Sequence, residues 1–330
     1  MAGTCLEANA GYSEMMARFL GPAIVRAFAD DDVTEIYLNP HDGIVRFDTR
    51  SRGRVPSGVS VGAPRVEMFL NAVAASLGVA LGGEQPGLEA ELPLAGFRGS
   101  RLQGFVPPLV PAPAFAIRKP PTVVYSLDDY VAASTLTDPQ RAEFQRAVRA
   151  HRNILIAGGT NTGKTTFANA VLREVTTVFP TERIVILEDT VELQCVAPDY
   201  LALRTSPGVP LSQLVKSALR TSPTRLVVGE VRGSEALDLL DAWATGHPGG
   251  VATVHASSAE GALLRLDRLA QRAHVPPQTA LIAEAIHVIA VLEGSHGGRR
   301  IAQLVRVDGL DRAGRYVLTR LDPALTGDAP

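Results

Sequence analysis

The 330-residue chain carries 32 Lys+Arg against 34 Asp+Glu, a formal net charge of −2, which removes any electrostatic case for bulk nucleic-acid binding. Apolar residues make up 46%, enough to build ordered cores, and the length suits two domains of ordinary size. The two cysteines, Cys5 and Cys195, build neither a disulfide framework nor a zinc site and point to a reducing compartment. No secretory signal is expected, and no run approaches the roughly 18 apolar residues that span a bilayer.

Residues 13–29 read as a helix of apolar period, with Ser13 as a cap and a kink or split at Gly21-Pro22. Packing on its own domain is the reading preferred over a membrane-surface helix. Val33–Leu38 alternates apolar and polar, Asn39–Gly43 turns, and Ile44–Phe47 returns, predicting a hairpin. Residues 64–80 place Val66, Phe69, Leu70, Val73 and Leu77 on one helical face. Leu92–Phe105 reads as strand, turn and strand, and Ala114–Arg118 as a further strand. Residues 1–120 are thus expected to form an α+β domain on an antiparallel sheet.

Residues 121–137 are expected as a linker after the stiff Lys119-Pro120-Pro121, and 138–330 as the second domain. Asp138 as N-cap and Pro139 at the first helical position open a helix over 139–151. Strands at 153–157, 184–188, 226–229, 251–255 and 287–292 alternate with helices, the pattern of a mostly parallel sheet covered on both faces. The tail from Leu321 is expected to be loose.

The stretch Gly158-Gly159-Thr160-Asn161-Thr162-Gly163-Lys164-Thr165-Thr166 fits G-x-x-x-x-G-K-[ST] between an apolar strand and a helix. Loop N–H groups and the helix amino end converge there on an anion. Lys164 is placed to reach the β- and γ-phosphates and Thr165 to offer its hydroxyl to Mg²⁺. Asn161 stands where many such loops carry glycine, and tolerates a left-handed backbone better than other side chains.

Two further strands end in acids. Ile184–Glu188 leads into Asp189 and Glu192, and acids at a strand's carboxyl end can orient Mg²⁺ or its water. Leu226–Gly229 leads into Glu230, the candidate to polarise the attacking water. His247 and His255 flank a glycine turn with Thr253, an arrangement read as a γ-phosphate sensor; no third ligand at suitable spacing supports zinc. Arg101 and Arg118 are candidates for the guanidinium that phosphoryl transfer often takes from outside the loop. No basic stretch interleaved with aromatics supports a helicase, and aromatic content is only 5%.

The phosphate loop, Ile186–Leu193, Val227–Gly233 and Thr245–Ala256 follow one another in the order of the Walker A, Asp, Walker B and His boxes. The chain resembles the secretion (traffic) ATPases, and within them the conjugal-transfer ATPases of type IV secretion. Val33–Pro40, Leu88–Pro93 and Phe115–Lys119 look like that branch too. The resemblance implies an ATP- and Mg²⁺-dependent motor with a RecA-like P-loop domain, forming a homohexameric ring with other secretion proteins. It further implies a cytoplasmic place, peripheral at most on the inner membrane. On it, Lys164 and Thr165 match the phosphate and Mg²⁺ positions, and Glu188 and Asp189 the Asp box. Glu230 matches the Walker B acid, and His247 and His255 the His box; Arg101 and Arg118 match first-domain arginines by spacing only. Gly229 departs from the metal-side Asp of many relatives, and Thr224 from an Asp often found there. A pilus or type II secretion motor, and an assembly scaffold with little turnover, are the alternatives; two cysteines and 330 residues leave no room for the usual four-cysteine module of the former.

Overall fold

A computed structural model describes residues 14–121, 123–206, 208–295 and 298–321. The chain divides into two compact units, Met1–Thr122 and Val123–Pro330. Ser13 and the tail from residue 322 lie outside the described residues.

In the first unit, a short helix α1 (residues 14–19) and α2 (Pro22–Ala29) meet at Gly21, whose φ of 98° breaks the helical run. The expected split is therefore present. Met16, Leu20, Ile24 and Phe28 are buried in this unit's own core, as a helix packed on its own domain requires. Six strands follow: β1 (Val33–Leu38), β2 (Ile44–Thr49), β3 (Gly53–Ser60), β4 (Gly87–Glu91), β5 (Arg101–Phe105) and β6 (Ala114–Arg118). Their order is β3-β2-β1-β6-β5-β4, and every pair is antiparallel. Helix α3 (Ala63–Ser76) covers one face through Val66, Phe69, Leu70 and Val73. The strand expected to start at Leu92 instead ends before it, because Pro93 has no amide to continue the ladder.

Part of the expected linker is folded. Helix α4 (Leu127–Ala132) is capped by Ser126, whose hydroxyl accepts from Asp129 N while the Asp129 side chain accepts from Ser126 N. The Tyr130 and Phe167 rings pack edge to face with centroids 5.0 Å apart, so this stretch belongs to the second core. Helix α5 (Asp138–Arg149) is capped by Thr137 with Gln140 as its reciprocal partner, one residue before the cap expected at Asp138.

The second sheet holds β7 (Ile154–Gly158), β8 (Ile184–Glu188), β9 (Tyr200–Arg204), β10 (Arg225–Val228), β11 (Val251–His255), β12 (Val288–Ser295), β13 (Gly298–Leu310) and β14 (Tyr316–Arg320). Its order is β14-β13-β12-β7-β11-β10-β8-β9. From β12 to β9 every pair is parallel; β13 and β14 are added antiparallel. Strand residues alternate between two cores, Leu155 and Ala157 on one face and Ile154 and Ile156 on the other. Helices α5 and α6 (Lys164–Val178) cover one face. The other is covered by α7 (Leu211–Ala218), α8 (Glu235–Thr245), α9 (Ala259–Ala270) and α10 (Thr279–Ala285).

Asn153, fully buried, ties the amino ends of the central strands together. Its Nδ2 donates to Ala285 O at 2.7 Å, its Oδ1 accepts from Gly250 N at 3.0 Å, and its amide donates to His287 Nδ1 at 3.1 Å. The carboxyl ends of β7 and β11 then finish level, with Gly158 opposite His255, and Gly158 also pairs with Leu292 of β12.

Candidate functional site

The phosphate loop leaves β7 at Gly158 and enters α6 through Gly163, in the left-handed region at φ 91°. Asn161 also has positive φ, 61°, as its residue type allows. No side chain caps the start of α6, which leaves its first amides directed to the loop mouth. Lys164 is buried, and its Nζ donates to Gly159 O at 2.8 Å, folding the ammonium across the loop. Thr165 and Thr166 lie half-buried in the first helical turn, while Gly159 and Thr160 are exposed.

Facing Lys164 are groups from two neighbouring strands. His255, the last residue of β11, holds Nδ1 3.4 Å from Lys164 Nζ and Nε2 3.1 Å from Glu230 Oε1. Burial and then the Lys164 charge hold the His255 imidazole below its ordinary pKa. Glu230 follows β10; burial works to raise its pKa, but the hydrogen bond and charge of Arg232, with His255 and Lys164, hold it below the usual range. Lys164, a neutral His255 and an ionised Glu230 therefore form one line at the carboxyl ends of β7, β11 and β10.

Glu188 is differently placed. It is buried, and its Oε1 accepts from Glu192 N at 3.0 Å and Leu193 N at 2.8 Å. Burial pushes its carboxyl up to about 7. A Cβ on Gly229 would stand 3.0 Å from Glu188 Cγ and 3.1 Å from its Oε1. Glycine at this place in the strand is thus what admits the Glu188 carboxyl, which holds the segment after β8. Asp189 is more open, with Arg232 Nη1 4.0 Å from its Oδ2. Thr253 is buried, and its hydroxyl donates to Gly229 O at 2.5 Å, fixing the turn before Glu230.

The two histidines do not meet. His247 precedes β11 and places Nδ1 3.0 Å from Pro223 O, beside the amino end of β10, whereas His255 ends β11. Four residues of β11, Val251 to Val254, lie between them at about 3.3 Å each, so the structure does not bring His247 and His255 together.

Arg101 and Arg118 are register partners in the first unit, at the start of β5 and the end of β6. The row they occupy crosses the whole sheet: Arg54, Asp48, Glu35, Arg118, Arg101 and Glu91. Arg101 pairs with the Glu89 carboxylate, whereas Arg118 is exposed. Two arginines directly opposite on one face repel. Burial, partly countered by the Arg118 charge, raises the Glu35 pKa.

Two residues escaped the sequence reading. Arg232 donates from Nη2 to Glu230 Oε2 at 2.7 Å and reaches toward Asp189, bridging two boxes; its spacing of two from Glu230 was the only local signal. Arg299, on the far side of the loop, had none. Among the described residues no group of three or more His, Cys, Asp or Glu is arranged to hold a metal alone, so a cation here would need oxygens from its ligand.

Comparison with known proteins places this site in a family. Residues 102–293, more than half of the chain, match the family described as Type II/IV secretion system protein. A probable conjugal transfer protein TrbB of Sinorhizobium fredii is 42% identical over 297 residues, covering 90% of each chain. A conjugal transfer protein TrbB of Rhizobium radiobacter is 41% identical, covering 88% of each. The type IV secretion system protein PtlH of Bordetella pertussis is 35% identical, covering 69% of this chain and 76% of that one. In fold, the pilus retraction motor PilT with bound ADP aligns at a TM-score of 0.60 and 18% identity, over 90% of this chain and 82% of its own. The Legionella pneumophila ATPase DotB aligns at 0.59 and 18%, over 93% and 80%. The chain belongs to the Type II/IV secretion system protein family.

Proposed function

We propose that this protein hydrolyses ATP with Mg²⁺, as the RecA-like motor of a conjugation or type IV secretion system. The observation that carries the reading is the contact line from Lys164 through His255 to Glu230 at the mouth of an uncapped helix. It brings a cation for phosphate and a carboxylate for water to one place, which a structural role alone would not require.

The residues suit a Mg²⁺-bound triphosphate. The loop from Gly158 to Thr166 surrounds a helix amino end, and Lys164 lies buried across it, bound to a carbonyl it can exchange for phosphate oxygens. Thr165 would offer its hydroxyl to Mg²⁺, and Glu188 and Asp189, at and just after the end of β8, would orient the metal's water. Mg²⁺, when bound, would neutralise charge on the phosphates. Glu230, held ionised by Arg232, orients and polarises the attacking water. His255 relays the presence of a terminal phosphate from Lys164 to Glu230, since it touches both. Arg118 and Arg101 are proposed as the cations that phosphoryl transfer takes from outside the phosphate loop.

The TrbB and PtlH likeness supports a motor that powers substrate transfer. A homohexamer, cytoplasmic and peripheral on the inner membrane through other secretion proteins, is the matching assembly. Among the described residues no helix is long and apolar enough to cross a membrane. ATPase rate and particle mass, measured together with and without Mg²⁺-ATP, test the reading. Turnover that needs Mg²⁺ and a six-subunit mass support it; no nucleotide binding at all would end it.

A further inference from the structure

The β12–β13 hairpin overhangs the phosphate loop. β12 runs beside β7 up to Leu292 opposite Gly158, then continues through Glu293, Gly294 and Ser295 beyond the end of β7. β13 returns with Arg299 opposite Gly294. A Cβ on Gly294 would stand 2.0 Å from Gly298 O, so the hairpin closes tightly only because that residue is glycine. The return brings Arg299 onto the loop. Its Cδ, Nε and Cζ lie 3.5, 3.6 and 3.8 Å from where a Cβ would stand on Gly163, the residue that starts α6.

A guanidinium in this place is electrostatically misplaced for a purely structural role. The amino end of a helix carries partial positive charge and favours anions. Lys164 already stands there. Among the described residues no ion pair reaches Arg299, and the nearby Glu293 carboxylate is taken by Arg300 at 3.2 Å. Two cations at one positive helix end repel, and an anion bound between them would relieve that repulsion.

The strand order says which part of that anion Arg299 meets. Glu230 and His255 come from β10 and β11, on one side of β7; the hairpin comes from β12 and β13, on the other. With the terminal phosphate directed at Glu230, the nucleoside end of the chain must point toward the hairpin. We infer that Arg299 is a nucleotide-binding residue of the same chain, contacting the α-phosphate or the nucleoside of ATP and ADP alike, with no part in cleaving the terminal phosphate. This rests on the nucleotide reading of the loop.

The test compares wild type, Arg299→Ala, Arg299→Lys and Lys164→Ala for binding of ADP and of a non-hydrolysable ATP analogue with Mg²⁺, and for KM and kcat. Arg299→Ala is expected to weaken both ligands by the same factor, roughly tenfold as for one charge-assisted hydrogen bond. KM should rise with it and kcat stay within about twofold, while Arg299→Lys recovers part of the loss. Wild-type binding that Arg299→Ala leaves unchanged overturns the inference and spares the nucleotide reading. A loss confined to the ATP analogue, with kcat falling, also overturns it, since Arg299 would then face the terminal phosphate. If wild type binds neither ligand and Lys164→Ala is no different, the nucleotide reading itself fails, and this inference with it.

Discussion

His255 Nε2 stands 3.1 Å from Glu230 Oε1, while the other nitrogen of the same ring faces Lys164 Nζ at 3.4 Å. One imidazole thereby connects the loop lysine with the strand-end carboxylate, which on the proposed function are the cation for phosphate and the carboxylate for water. Whether that connection matters is open to direct measurement.

Glu230→Gln keeps the shape of the side chain and removes the charge. Nucleotide affinity is expected to stay within about threefold, and kcat to fall by roughly 10² to 10⁴, the usual worth of a positioned general base. Equal kcat in the two proteins would take Glu230 out of the chemistry.

The ring also sets a pH dependence. Burial and Lys164 keep the His255 pKa below its ordinary value of 6.5, so the imidazole is neutral at pH 7. As pH falls through that lowered pKa, a cation forms 3.1 Å from the Glu230 carboxylate and captures it. The acid limb of kcat/KM should therefore have its midpoint below 6.5, and His255→Gln should remove or displace it. An unshifted limb in that variant assigns the titration to another group.

Arg118 is exposed on a sheet face where Arg101 is already paired with Glu89. Arg118→Ala is expected to lower kcat by about tenfold or more with nucleotide affinity largely kept, as for a cation that acts on the transition state. Arg101→Ala should cost less. Identical steady-state kinetics for Arg118→Ala and wild type would return Arg118 to an ordinary surface role.

Lys119 offers a stability test remote from the phosphates. Its buried Nζ donates to Ala27 O at 2.9 Å and to Asp30 O at 2.5 Å, and burial pulls the amine down to about 8. Between about 8 and the ordinary lysine value of 10.5 the unfolded chain holds a proton that the folded one has released. Folding stability through this group must then rise with pH across that window and be flat below it. A neutral amine still has two N–H donors for the two carbonyls. Melting of wild type against Lys119→Met, from pH 7.5 to 10, should show wild type gaining a few degrees; a constant difference would mean that the amine stays charged.

Much of the second unit was legible because its strands are short apolar runs broken by glycine or acid. β8 and β11 were expected at their observed bounds, since buried parallel strands need apolar residues on both faces. β9 and β14 were missed: as edge strands they alternate with exposed residues and carry no such run. His247 was grouped with His255 because nearness in sequence around a glycine turn hid the strand that separates the two. Arg299 was invisible for the opposite reason. It lies far from Gly163 in sequence, and only the pairing of β12 with β7 brings it near.

The bonds gathered on Asn153 have a mechanical consequence. They rivet β7 to its neighbours at the end away from the loops, so slipping any one strand by a residue would break them and turn its side chains to the wrong face. A pull on the loop end is then borne as tension along strands that keep their register.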